Sequence, residues 1–91
     1  MNYFKDARTR KVAAGQRVPR VPLEIQRRAV RQLSILSAAQ TLQDVRFAGG
    51  GRIAKARGTK PARLYLHVNG PWWIGFTWER TDALDVSLEK H

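Results

Sequence analysis

The final thirty residues alternate apolar and polar side chains in three successive segments, with the two-residue period of a pleated strand. The apolar faces predicted for these segments are Leu64, Leu66 and Val68, then Trp72, Ile74, Phe76 and Trp78, then Leu84, Val86 and Leu88. Asn69-Gly70 separates the first two segments, and residues 79–82 separate the last two. Because Asn-Gly readily adopts the positive φ of a tight hairpin turn, the pattern predicts an antiparallel meander with one apolar and one polar face.

The apolar sheet face needs a cover, and helical patterns precede it in the chain. Pro22 stands where a first-turn proline is tolerated, and the helix predicted from it places one set of apolar residues on one side: Leu23, Ile25, Ala29, Val30, Leu33 and Leu36. A shorter helix is predicted over residues 5–14, with Gly15 as its stop. The predicted fold class is therefore α+β, a mostly antiparallel sheet covered on one face by two N-terminal helices.

Weaker signals describe the rest of the chain. Residues 2–4 could add an edge strand, and residues 16–21 read as a connection. Thr41 and Asp44 form a capping-box pattern, after which we expect a short turn. Residues 49–51 are three glycines that suggest a flexible joint, and residues 52–56 are compatible with a further strand.

The bulk properties indicate one domain, residues 1–91, without disulfides or a thiolate metal site, since the chain has no cysteine. No apolar run approaches the ~20 residues that cross a bilayer, and no signal-peptide core is present, so a cytoplasmic protein without membrane association is expected. With two histidines and no third ligand, the sequence predicts no metal site, and it has no Gly-rich phosphate loop to suggest a nucleotide cofactor.

The charge distribution points to a polyanion partner. The net charge is +10, and residues 1–61 hold 14 Lys or Arg against three Asp or Glu. Six basic residues and no acid lie between Arg46 and Arg63, a segment that leads into the meander, whose polar face carries Tyr65 and Trp73. Cations that bind phosphates beside rings that stack on bases are typical of single-stranded RNA binding. The candidates are Arg52, Lys55, Arg57, Lys60, Arg63, Tyr65 and Trp73. A solubilising basic loop is the alternative.

Several motifs resemble the HigB toxins of the RelE superfamily, from bacterial toxin–antitoxin systems. Pro22-Leu-Glu-Ile-Gln-Arg-Arg-Ala, with residues 33–46, is similar to the family's long helix and following turn. Gly51-Arg52-Ile53 and Gly58 resemble its G-N-R-L…L-K-G segment. In the meander, Val68-Asn69-Gly70, Trp72, Ile74, Phe76 and Trp78 resemble the family's V-N-x-x-W-R-I-x-F-x-W core. Asp82-Ala83 and Asp85-Val86 resemble its D-A-Y-D-V segment, and His91 resembles its terminal histidine.

The resemblance implies a metal-independent, ribosome-dependent mRNA endonuclease. It also implies a HigA-like helix-turn-helix antitoxin as partner. The toxin would contact operator DNA only indirectly, through that antitoxin. Carried over by position, the catalytic residues are Arg52, Arg57 and His91. The exposed arginine face of the long helix, with Arg27 and Arg31, is either solvated or binds the antitoxin.

The chain departs from the family motifs at functional positions. Arg57 stands where the family motif has a lysine, and Trp73 stands where it has an arginine. Ala54 stands where some members have a histidine, and the family ending D-Y-H is here Glu89-Lys90-His91. An arginine keeps the lysine's charge but is a poor proton donor at neutral pH. These changes leave a second hypothesis open, an RNA-, ribosome- and antitoxin-binding module with weakened or lost cleavage. A third, a small RNA-binding protein unrelated to toxins, fits the near-complete match less well.

Overall fold

The computed structural model describes residues 4–48, 52–56, 58 and 62–91. Within these residues the helices are α1 (Ala7–Ala13), α2 (Leu23–Ala38) and α3 (Leu42–Phe47), and the strands are β1 (Ile53–Lys55), β2 (Arg63–Asn69), β3 (Trp72–Glu79) and β4 (Asp82–Lys90). The strands form one sheet in the order β1-β2-β3-β4, and each pairs antiparallel with the next. The α+β class and the C-terminal meander are confirmed.

The helix ends follow from local side-chain chemistry. The Asp6 side chain accepts a hydrogen bond from the Thr9 amide at 2.8 Å and so caps the start of α1. At Thr41 the predicted capping box is present, since its hydroxyl accepts from the Asp44 amide and the Asp44 carboxylate accepts from the Thr41 amide. Because these bonds satisfy otherwise unpaired amides, the segment after Thr41 is a six-residue helix, α3, and not the short turn that we predicted.

The helices cover one face of the sheet, where the core lies. Its largest fully buried apolar side chains are Phe76, Leu33, Leu36, Leu66, Ile74, Leu88, Val12, Val45 and Val86. Leu23, predicted on the apolar side of α2, is instead 45% exposed. At 3.6 residues per turn it lies about 200° around the helix from Ile25, so the two cannot face the same neighbour. Gln26 is buried instead, and its side chain binds the backbone of Gln16 and Val18.

A β-bulge changes the predicted alternation in β4. Thr77 pairs with Leu84 but Gly75 pairs with Ser87, so β4 has one residue more than β3 in this interval. Asp85 lies in the bulge, and its backbone has a φ of +51°. As a result Ala83 is buried together with Val86 and Leu88, while Leu84 lies on the opposite face. The predicted set Leu84, Val86 and Leu88 is therefore wrong at Leu84.

The first hairpin turn is displaced by one residue from its prediction. Asn69 pairs with Trp72, which makes Gly70-Pro71 the two turn residues. Gly70 has a φ of +54°, and proline cannot adopt a positive φ, so only the glycine supplies the left-handed conformation. At the edge of the sheet formed by β4, Phe4 makes a parallel bridge with Val86, as expected for the predicted edge strand. Residues 2–3 and the glycines at 49–51 lie outside the described residues.

Candidate functional site

The sheet face away from the helices, here called the open face, brings together side chains from all four strands. Tyr65 on β2 pairs with Ala54 on β1 and with Gly75 on β3. One row along, Trp73 on β3 pairs with His67 on β2 and with Glu89 on β4. Directly paired residues in an antiparallel sheet place their side chains on the same face, so these two rows form one continuous surface.

A connected set of polar side chains, the Glu89 network, consists of Arg63, Ser87, Glu89 and His91. Arg63 Nη2 donates to Glu89 Oε2 and to Ser87 Oγ, each at 2.9 Å, and its Nη1 donates to the Asp85 carbonyl at 2.9 Å. The Ser87 hydroxyl donates to the same Glu89 oxygen at 2.6 Å. The other oxygen, Oε1, lies 3.2 Å from His91 Nε2. Glu89 thus connects the Arg63 guanidinium through one carboxylate oxygen to the His91 imidazole through the other.

The pKa of Glu89 lies below its ordinary value. Partial burial by itself would raise it, because a carboxylate loses hydration when it is taken from water. Hydrogen bonds from Ser87 and Arg63 and the positive charges of Arg63 and His91 favour the ionised form and outweigh that cost. Glu89 is therefore a carboxylate at neutral pH and accepts, rather than donates, in its contact with His91.

Acid is expected to weaken the fold partly through Glu89. Since its folded pKa is below the unfolded value of about 4.3, its contribution is present above the unfolded pKa and is lost as pH falls through the folded pKa. Urea unfolding at pH 6 and at pH 3 measures this for the native protein and for Glu89→Gln, which cannot titrate. The native protein should lose more free energy of unfolding than the variant does; an equal loss in both would contradict the assignment.

Next to the network lies an open depression of about 290 Å³, the aromatic depression, lined by Ala54, Tyr65, Trp73 and His91. The Tyr65 and His91 rings meet edge to face, with centroids 5.1 Å apart and planes at 83°. The lining is therefore two aromatic rings, one imidazole and one methyl group. Such a surface suits a flat unsaturated group better than a charged one.

Basic side chains border this depression. The Arg52 guanidinium lies 5.4 Å from the Trp73 ring centroid, and the Arg63 guanidinium lies 5.9 Å from that of Tyr65. His67 contacts Trp73 from the side, with ring centroids 4.5 Å apart, and its Nε2 lies 3.0 Å from the Gly70 carbonyl oxygen. Rings with flanking guanidinium groups can hold a base and its phosphate together.

The glycine at position 75 leaves the space that the network occupies. A Cβ at Gly75 would overlap Glu89 Oε2 and lie 2.8 Å from Arg63 Nη2 and 3.0 Å from Tyr65 Cε1. The Glu89 carboxylate and the Arg63 guanidinium therefore pass directly over the backbone of β3. Any larger residue at this position would displace one of the two.

Comparison with known proteins decides the family. The sequence profile of the RelE-like toxins of the type II toxin–antitoxin system HigB matches residues 2–91. The chain belongs to this HigB family. It is also 31% identical to Toxin HigB-1 of Vibrio cholerae serotype O1 (strain ATCC 39315 / El Tor Inaba N16961) over 71 residues, which are 78% of this chain and 75% of that protein. The suspected HigB resemblance is thereby confirmed, and membership implies an antitoxin partner.

The structure brings five of the sequence-predicted site residues to the open face: Arg52, Arg63, Tyr65, Trp73 and His91. Lys55 pairs with Leu64 and so belongs by register to the helix-facing side of β1. Arg57 and Lys60 lie outside the described residues. Arg27 and Arg31 are exposed on α2, which packs against the other face of the sheet. The candidates on the open face and the antitoxin candidates on α2 of this HigB-family chain are thus on opposite sides of the sheet.

Sequence reasoning missed Glu89, Ser87 and Gly75. A signal for two of them was present, because Ser87, Glu89 and His91 follow the two-residue period of a strand. What the period could not supply was the register that sets Glu89 opposite Trp73 and next to Arg63. In the part of the chain that the structure describes, no helix has the length and apolar character needed to cross a membrane.

Proposed function

We propose that this HigB-family chain is a toxin that cleaves mRNA on the ribosome and so inhibits translation, without a metal or cofactor. It acts in the cytoplasm, is neutralised by a HigA-like helix-turn-helix antitoxin, and meets operator DNA only through that antitoxin. One observation carries the proposal. On the open face, the His91 imidazole contacts the ionised Glu89 carboxylate and lines the aromatic depression, which arginines flank, and the protein has a net charge of +10.

The proposed reaction needs a proton acceptor at a ribose 2′-hydroxyl. His91 takes that proton, the 2′-oxygen attacks the adjacent phosphorus, and the bond to the 5′-oxygen of the next nucleotide breaks. The leaving 5′-oxygen takes up a proton from water, and the products end in a 2′,3′-cyclic phosphate and a 5′-hydroxyl. The Glu89 carboxylate, 3.2 Å from Nε2, stabilises the imidazolium that forms when Nδ1 accepts the proton.

The phosphorane formed during the attack carries extra negative charge, which cations must stabilise. Arg52, next to Trp73 and exposed, is one source of that charge. Arg57, at the position of the family lysine, and Lys60 are two more that the motif and the basic segment supply. Arg63 contributes differently, because its contacts hold Glu89 and hence the orientation of His91.

A second function is favoured by Trp73. This residue stands where the family motif has an arginine, and it contributes a ring in the depression but no charge of its own. A chain with the same fold and partners could bind RNA and ribosome while cleaving weakly or not at all. Trp73→Arg separates the two functions, since it should raise cleavage if the natural site is attenuated.

The test is cleavage of a defined mRNA on purified bacterial ribosomes, mapped by primer extension on the extracted RNA. Cuts that require both ribosome and protein, with 2′,3′-cyclic phosphate ends, are expected. The matched control is the same mRNA and protein without ribosomes, which should stay intact. If the mRNA stays intact although the protein co-sediments with the ribosomes, the endonuclease proposal is wrong and the chain is a binding module.

The antitoxin surface is proposed on α2. Arg27 and Arg31 precede Val30 and Ser34 by three residues each, a spacing that makes them neighbours on a helix surface. Val30 and Ser34 line a groove of about 600 Å³ beside α1. Arginines on the rim of such a groove suit an acidic segment of the antitoxin.

Reversing both charges, Arg27→Glu with Arg31→Glu, is expected to weaken antitoxin binding by about tenfold or more, because like charges then face each other. Calorimetry with the purified antitoxin at two salt concentrations measures this. The control, Arg80→Glu, changes an exposed arginine in the β3–β4 turn and should bind as the native protein does. Unchanged affinity in the double variant would mean that this helix face is only solvated.

A further inference from the structure

The aromatic depression differs in chemistry from the rest of the open face. All four strands contribute to it, Ala54 from β1, Tyr65 from β2, Trp73 from β3 and His91 directly after β4. Its volume of about 290 Å³ lies just below the range of about 300–1,000 Å³ typical of small-molecule sites. That size suits one nucleotide and not a run of several.

The lining offers little with which to read the edge of a base. It has no amide side chain, and its polar side-chain groups are the Tyr65 hydroxyl, the Trp73 indole N–H and the His91 ring nitrogens. One of those nitrogens, Nε2, already lies 3.2 Å from Glu89 Oε1. A site that tells bases apart needs several donors and acceptors at fixed positions, whereas every base presents a flat face to an aromatic ring.

Ala54 keeps the depression open. It is exposed on β1 and pairs directly with Tyr65, so a longer side chain at this position would extend over the rings. Arg52, two residues before it, lies 5.4 Å from the Trp73 ring centroid and is exposed. Its guanidinium is therefore available to the phosphate of a nucleotide whose base enters the depression.

We propose that the aromatic depression holds one unpaired nucleobase of the RNA by stacking, with little discrimination among the bases. The inference rests on the proposed function for the source of that base, a nucleotide of the mRNA. Binding energy in this site comes from ring contact and from one nearby guanidinium. It follows that any sequence preference in cleavage arises from contacts outside the depression.

The test measures binding alone, with fluorescein-labelled 2′-O-methyl hexanucleotides of A, C and U, which lack the 2′-hydroxyl that cleavage requires. Fluorescence anisotropy gives the affinity of the native protein and of two variants. Trp73→Ala removes a stacking ring, and Ala54→Leu fills the depression while it retains every ring and charge. Each should weaken binding at least fivefold, given the contribution that stacking makes for a single base.

The comparison among bases decides the specificity. The loss caused by Trp73→Ala should agree within about threefold for the three hexanucleotides, because the lost contact is the same ring face. A loss at least tenfold larger for one base would mean that the depression reads base edges. Unchanged binding in both variants would mean that no base occupies it.

The control for non-specific electrostatic binding is Lys11→Ala, which removes one exposed cation from α1 on the helix side and should change affinity less than threefold. Thermal unfolding of each variant identifies a loss of binding that comes from loss of fold. The outcome is separable from the proposed function. If binding changes as expected but the native protein does not cleave mRNA on ribosomes, the endonuclease proposal is wrong and the base-binding proposal is retained. If the native protein cleaves but both variants bind as it does, only the base-binding proposal is wrong.

Discussion

Replacing His91 with glutamine is expected to lower the rate of ribosome-dependent mRNA cleavage by about 10²–10⁴-fold, the usual contribution of a general acid or base. Glutamine retains a group that can bind Glu89 Oε1, now 3.2 Å from the imidazole, but it cannot take up a proton at neutral pH. The measurement is single-turnover cleavage of mRNA on ribosomes. The His91 side chain is 48% exposed, so thermal stability should change little.

The matched control for this prediction is His67→Gln. His67 lies on the same face but outside the aromatic depression, with its Nε2 near the Gly70 carbonyl oxygen. Its replacement should change the cleavage rate less than threefold. If His91→Gln cleaves at the native rate while His67→Gln does not, the acid–base role belongs to the other imidazole, and the mechanism proposed for the Glu89 network is wrong.

Gly75→Ala is expected to reduce cleavage by about 100-fold with only a small change in stability. The added methyl group would overlap Glu89 Oε2 and crowd Arg63 Nη2, so the pair must separate and His91 loses its fixed partner. A displacement of about 1 Å at a reacting group can cost this much in rate. Stability should be nearly unchanged because the crowded atoms are the ends of side chains that can move.

A second substitution tests the cause of that loss. Glu89→Asp shortens the crowded side chain by one methylene group, so the double variant Gly75→Ala, Glu89→Asp should regain part of the activity. Thr77→Val, at the next open-face position of β3, controls for substitution in this strand and should cleave normally. Native cleavage by Gly75→Ala alone would show that the packing of Arg63 against Glu89 does not set the rate.

The family relationship makes both experiments interpretable against known motif positions. Trp73 lies where the motif resemblance leads us to expect an arginine, while an arginine on β2, Arg63, binds the carboxylate of Glu89. The open face therefore retains guanidinium groups at its border, through Arg52 and Arg63, although one motif position is apolar. This distribution of charge is the reason to expect catalysis despite the substitutions.

Much of the architecture could be predicted because it depends on local pattern. The two-residue period determined strands β2 and β3 and their faces, and the proline signal at Pro22 determined where α2 begins. Burial of apolar surface then selects the arrangement, since an apolar helix stripe and an apolar sheet face are each unstable in water. The resemblance to the family motifs also predicted Arg52, Trp73 and His91 as site residues, and the fold brings all three to the open face.

The site itself depended on register, which only the tertiary structure decided. The bulge at Asp85 buries Ala83 together with Val86 and Leu88, moves Leu84 to the open face, and fixes the register that sets Glu89 opposite Trp73. A one-residue shift exchanges the faces of every later side chain, and its position is set by packing across the sheet. The sequence by itself determined the strands and the charge, whereas the contact of Arg63 and His91 with one carboxylate exists only because the folded sheet aligns them.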